Sequence, residues 1–173
     1  MNKPDVPPIE NQLVRLRLLK SEDLPITLTW RNQEEIRKWF FHSDIVSYEQ
    51  HLGWFERYQA RDDDFVFIIE EVTTNLPVGQ VALYNMDAEK RCAEFGRLMV
   101  GEKVAQGKGY AKAALNLILR MAFTVFELQE VYLEVFANND RAISVYEKCN
   151  FHIISKNPDV VKMIIDRQRW AEG

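Results

Sequence analysis

With two cysteines and three histidines among 173 residues, the chain is poor in the side chains that hold metals. Cys92 and Cys149 belong to no Cys-x-x-Cys pair, and His42, His51 and His152 to no His-Glu-x-x-His pattern, so no metal site is expected. The two cysteines read as reduced thiols rather than a disulfide framework. A block of Lys and Arg is also lacking. The net charge is −4 with both signs interleaved, which excludes the electrostatic footprint of a nucleic-acid binder. No apolar run approaches a membrane span and no leader pattern opens the chain, so the expected place is the cytoplasm, without a membrane partner. Three of the six prolines, Pro4, Pro7 and Pro8, fall at the start. Residues 1–10 therefore read as a flexible lead-in, and residues 11–173 as one domain large enough to bury its own core.

The apolar residues fall into strand and helix periods. Leu13 to Leu19 alternates leucine and arginine, as a half-buried strand does. Ser21-Glu22-Asp23 opens a helix over Leu24 to Asn32, with Pro25 in its first turn. Ser47, with Gln50 three residues on, has capping-box spacing ahead of a helix carrying Leu52, Trp54, Phe55 and Tyr58. Further strands are predicted from Phe65 to Glu70, Val78 to Tyr84, Arg91 to Val100, Glu130 to Phe136, Phe151 to Ser155 and Val160 to Asp166. Helices are predicted from about Gly107 to Phe126 and from Asn139 to Cys149. These elements make an α/β domain with a mixed sheet.

Glycine is sparse, seven in all, yet two stand in Gln106-Gly107-Lys108-Gly109-Tyr110-Ala111, between a predicted strand and the long helix. Glycines at a helix mouth let a ligand approach the backbone closely. The first free N–H groups and the helix dipole then favour an anion, with Lys108 as a nearby cation. A tight strand-to-helix turn is the other reason for such glycines. The run is no Walker A loop, because a Gly-Lys-Ser/Thr triplet is missing, and no dinucleotide fingerprint, because the third glycine is. It does fit Gln/Arg-x-x-Gly-x-Gly/Ala, as Gln106-x-x-Gly109-x-Ala111. Further on, Asn139 to Phe151 reads Asn-x-x-Ala-x-x-x-Tyr-x-x-x-Asn-Phe. Together the two segments resemble the pyrophosphate loop and the second conserved block of the GCN5-related N-acetyltransferases (GNAT). One departure is Asn150, where the family usually has Gly; Asn is the next best residue for a left-handed position past a helix. The resemblance covers Leu13 to Ile165.

What the resemblance implies is specific. The fold would be that of the GNAT family, a mixed, mostly antiparallel central sheet of six to seven strands with four helices, two strands splaying apart at the cofactor site. Acetyl-CoA would be the co-substrate. Its pantetheine arm would run along the main chain of Leu98, Met99 and Val100, and its pyrophosphate would sit on Gln106, Gly107, Lys108, Gly109, Tyr110 and Ala111. Asn139 would cap its helix and meet the pantetheine, and Tyr146 would lie beside the sulfur.

The chemistry sets its own demands. An aliphatic amine with a pKa near 10.4 is neutral in only about one molecule in 10³ at pH 7, which costs roughly 4–5 kcal/mol unless a base takes the proton. A donor must also meet the oxyanion, and an acid the departing thiolate. Tyr146, protonated at neutral pH, is the candidate acid; a core tyrosine is the alternative. Glu94 interrupts an apolar strand, where a carboxylate is costly unless paired, hydrated or used, and is the candidate base. A salt bridge to Arg97 or Arg91 is its alternative.

By the same resemblance, the first two helices and their loop shape the acceptor pocket. The pairing of Trp30-Arg31-Asn32 with His51-Leu52-Gly53-Trp54 looks like the branch that acetylates amino-sugar nucleotides. Arg31 and His51 suit a phosphate, and Trp30 and Trp54 a sugar ring or base, with Glu94 near the amine; for most of these aromatics, core packing is the simpler reading. Arg91 to Phe95 and the glycine loop also look like spermidine acetyltransferases, with Glu34, Glu35, Asp44 and Glu49 to hold a polycation. A protein N-terminus is a third acceptor class. Outside the enzymes stands an idle CoA-binding module, against which the intact Tyr146 and Glu94 argue. The sequence sets no oligomeric state and is compatible with a homodimer.

Overall fold

The structure, a computed structural model, describes residues 3–173. Eight strands form one sheet: β1 (Ile9–Glu10), β2 (Val14–Leu18), β3 (Phe65–Glu71), β4 (Pro77–Asp87), β5 (Cys92–Val100), β6 (Glu130–Phe136), β7 (His152–Lys156) and β8 (Val160–Asp166). Their spatial order is β1-β2-β3-β4-β5-β6-β8-β7. Every neighbouring pair is antiparallel except β5 and β6. Six helices accompany them: α1 (Leu24–Arg31), α2 (Glu34–Arg37), α3 (Tyr48–Gln59), α4 (Tyr110–Thr124), α5 (Asp140–Lys148) and α6 (Arg167–Glu172).

Both faces of the sheet are covered, and β3 shows why its sequence is apolar throughout. Phe65, Phe67 and Ile69 pack with Leu115, Ile118 and Phe123 of α4 on one face. Val66 and Ile68 pack with Leu24 and Trp30 of α1 and Phe55 and Tyr58 of α3 on the other. The helix termini follow the sequence. The Ser47 hydroxyl accepts from the Gln50 N–H at 3.1 Å, while the Gln50 side chain accepts from the Ser47 N–H at 2.9 Å. Asn150 takes φ 74° just past α5, the left-handed position that family members fill with glycine.

Two irregularities place the site. β5 pairs with β6 only from Cys92↔Glu130 to Glu94↔Tyr132. Beyond Glu94, β6 stays with β8 and β5 stays with β4, so the two diverge and the sheet opens. In the same stretch the register on β4 steps from Gln80↔Met99 to Ala82↔Gly96, an extra residue on β5, and Arg97 takes φ 53°. Such a bulge bends its strand and takes backbone groups out of the ladder.

Two expectations give way. Of the expected lead-in, residues 1–2 lie outside the described residues, and residues 3–10 make packed contacts: Val6 is buried, β1 pairs with β2, and the Lys3 ammonium donates to the carbonyls of Arg61 and Asp64. Prolines stop this segment from forming a long strand without stopping it from packing. The sheet therefore has eight strands rather than six or seven, and the short α2 and the terminal α6 add two helices to the four expected.

Candidate active site

A cavity of about 590 Å³ lies where β5 and β6 part. Its inner wall is Phe95, Gly96, Arg97, Leu98 and Met99 of β5 with Leu133, Glu134 and Val135 of β6. Asn139 and Tyr146 close one side, and Arg31, His51, Trp54 and the Trp39–His42 loop close the other. Of the residues expected at the site, Leu98, Met99, Asn139, Tyr146, Arg31, His51 and Trp54 line this space, whereas Val100 and the loop from Gln106 to Ala111 do not.

At one end of β5, a 3₁₀ turn (Lys103–Ala105) leads into the glycine loop. Gly107 and Gly109 have φ of 77° and 84°, and a Cβ on either would meet nothing within 4 Å. The backbone there is left-handed and open. The Ala113 N–H makes a first helical bond of α4, to Gly109 at 3.0 Å, so the N–H groups of Tyr110, Ala111 and Lys112 have no partner inside the helix. With the dipole of a fifteen-residue helix behind them, they suit an anion. The Gln106 N–H is already bonded to the Lys103 carbonyl and its side chain to the Val100 carbonyl at 3.1 Å. The cradle accordingly begins at Gly107, and Gln106 shapes it from behind. Tyr110 contributes only its amide, because its phenol is buried and bonded to Glu71.

Tyr146 projects from α5 with its ring edge-on to Phe95 at 5.8 Å and tilted against Phe151 at 5.9 Å. Burial alone pushes its phenol up to about 12, so it keeps its proton at neutral pH. Asn139 accepts from the Ala142 N–H at 3.3 Å as the cap of α5 and also lines the cavity, which lets both expected roles hold.

Across the cavity, Arg31 donates to the His42 carbonyl and lies 4.3 Å from the Phe40 ring, with Nη1 buried and unpartnered. Burial, and then the neighbouring Arg37, lower its pKa from the usual guanidinium value. His51 stacks on Trp54 with ring centres 5.6 Å apart. Trp30 does not belong here: it is 1% exposed, and its indole N–H is bonded to Glu102 at 2.6 Å, so it packs α1 on the sheet. Glu94 is likewise off the cavity. Its oxygens accept from Tyr84 Oη at 3.1 Å and Asn85 Nδ2 at 3.0 Å, and neither Arg91 nor Arg97 pairs with it. It steers Tyr84, which does line the cavity.

Arg97 is the residue that sequence reasoning missed. Its guanidinium pairs with the buried Asp64 at 2.8 Å and lies 4.0 Å from the Tyr84 ring. Strand alternation gives no sign of this, because the bulge at Arg97 resets which face each residue meets.

A family model described as an acetyltransferase (GNAT) domain matches residues 14–152. The chain belongs to the GNAT acetyltransferase family. A spermidine N(1)-acetyltransferase of Vibrio cholerae is 29% identical over 141 residues, covering 82% of this chain and 80% of that protein. The crystal structure of spermidine N-acetyltransferase from Vibrio cholerae in complex with CoA and spermine superposes with a TM-score of 0.85 at 25% identity, covering 93% of this chain and 99% of that one. FdhC, a nucleotide-linked sugar GNAT, shares the fold with a TM-score of 0.83 at 20% identity over 98% of this chain and 94% of that one.

As a GNAT enzyme the chain takes acetyl-CoA as co-substrate, and the site meets that requirement on its own geometry. β5 and β6 part beyond Glu94, the open loop and free amides suit a pyrophosphate, and a protonated phenol lines the cavity between the parted strands. Among the described residues there is no cluster of metal-binding side chains and no helix long and apolar enough to cross a membrane.

Proposed function

We propose that the enzyme moves the acetyl group of acetyl-CoA to the primary amine of a small molecule by direct attack in a ternary complex. The single observation behind this reading is the shared cavity: Tyr146 and the β5 bulge line it from one side, Arg31, His51 and Trp54 from the other. An amine entering past α1 and α3 meets the thioester without any covalent relay through the protein. In this reading Leu98, Met99 and Val100 run alongside the pantetheine, and the amides from Gly107 to Lys112 take the pyrophosphate. The bulged backbone at Leu98 supplies a donor for the oxyanion, and Tyr146 gives its proton to the leaving sulfur.

For the acceptor, two classes have specific support. An amino-sugar nucleotide suits the guanidinium of Arg31 together with the faces of Trp39 and Trp54, which offer charge for phosphate and flat surface for a ring. A polyamine suits the carboxylates of Glu35 on α2 and Glu134 on β6, which line the same cavity, and accords with the relatives named as spermidine acetyltransferases. Free-thiol release from acetyl-CoA against a panel of amino-sugar nucleotides, polyamines, aminoglycosides and peptides tests both. Turnover highest with an amino-sugar nucleotide supports the first class and turnover highest with spermidine the second. Turnover with peptides alone would overturn the small-molecule reading.

A further inference from the structure

We propose that His51 is the proton acceptor for the attacking amine. The inference rests on the acetyl-transfer reading above and assigns within it the role that Glu94, engaged outside the cavity, leaves open.

The tautomer is assigned from the bonds at Thr27. His51 Nε2 lies 3.0 Å from Thr27 Oγ1. The Thr27 hydroxyl is buried, and the backbone oxygens beside it, Asp23 O at 3.0 Å and Leu24 O at 3.2 Å, can only accept. A hydroxyl has one proton to give, and a helical threonine commonly gives it to the carbonyl one turn back. Towards His51 the oxygen therefore accepts, and Nε2 carries the hydrogen. Nδ1 then bears the lone pair. That atom has no protein partner among the described residues and is not one of the buried orphaned polar atoms, on a ring that lines the cavity.

The ring is also held still and held neutral. Trp54 stacks on it with the planes 8° apart. Burial lowers its pKa first, and the Arg31 charge from α1 lowers it further, so the base is ready at neutral pH. The other charged groups facing the cavity are Glu35 on α2, Arg97 on β5 and Glu134 on β6, with His42 in the loop. Arg97 is already matched by Asp64.

The step balances. The neutral amine's lone pair forms the C–N bond to the thioester carbon and raises positive charge on nitrogen. Nδ1 takes one N–H proton as that charge develops. The C–S bond then breaks, and the sulfur takes the Tyr146 phenol proton. The imidazolium, disfavoured beside Arg31, releases its proton through water to the Tyr146 phenolate, which restores both groups.

The test compares His51→Ala and His51→Gln with the wild-type enzyme on the best amine from the panel. General-base loss predicts a kcat lower by about 10²-fold or more in both variants. Acetyl-CoA affinity by calorimetry should stay within about twofold, because the base acts in catalysis rather than in cofactor binding. Added imidazole should restore kcat of His51→Ala as its neutral form increases, which a packing role would not do. A kcat within about threefold of wild type in either folded variant, or a defect that imidazole leaves unmoved, overturns the assignment while acetyl transfer stands. Absence of wild-type turnover on every amine would overturn the acetyl-transfer reading itself, and this inference with it.

Discussion

Tyr146 keeps its proton because burial, with no neighbouring charge involved, carries its phenol up to about 12. Tyr146→Phe should lower kcat by about 10²-fold with acetyl-CoA affinity unchanged by calorimetry, because the ring still packs on Phe95 and Phe151 and only the proton is gone. Glu94 behaves differently, as a brace for Tyr84 and Asn85. Glu94→Gln should lower the melting temperature and leave the shape of the pH–rate profile unchanged; a defect that shrinks as pH rises would return the base role to Glu94. His51 carries a pH signature in stability. Its folded pKa is depressed below the 6.5 of the free side chain, so its contribution is complete above pH 6.5 and is lost as pH falls below it. Urea unfolding of His51→Gln beside wild type should show a smaller loss of stability over that window.

The glycine loop and α4 form the element on which cofactor affinity depends. Ala111 occupies the first turn of α4, where a carboxylate favours the helix by about 0.3–1 kcal/mol yet repels a pyrophosphate. Ala111→Asp should therefore hold or raise the melting temperature while weakening acetyl-CoA at least about tenfold, as like charge in a helix-mouth anion site requires. Equal affinity in the variant would move the phosphate site elsewhere. These elements were legible in the chain because their signals are local. Ser47 with Gln50, Asn139 ahead of Ala142, and the paired glycines each act within a few residues. The β5 bulge was not legible. Whether the extra residue sits at Arg97 depends on pairing with β4 and on the Arg97–Asp64 contact, both set by residues distant in sequence. For the same reason the aromatic Trp30 was misplaced: Trp54 and Trp39 line the cavity, whereas the packing of α1 on the sheet and against Gly101 buries Trp30.

At the scale of the molecule, function comes from a sheet that fails to close. β5 and β6 share three residue pairs and then part, and the cavity opened there runs from Asn139 and Tyr146 to the aromatic wall of α1 and α3, with the helix-mouth loop following the far end of β5. A ligand lying along that gap should stabilise the whole fold: at a hundredfold excess over its Kd, acetyl-CoA should add about 2.7 kcal/mol. For a domain of this size that is a rise of roughly 5–10 °C in melting temperature, readable by calorimetry. The central claim is direct transfer across this one cavity, and initial-rate kinetics with acetyl-CoA and the best amine varied together test it most directly. Intersecting double-reciprocal lines, with one acetylated amine formed per thiol released, are the predicted result. Parallel lines, with an acetylated enzyme trapped when the amine is withheld, would contradict it.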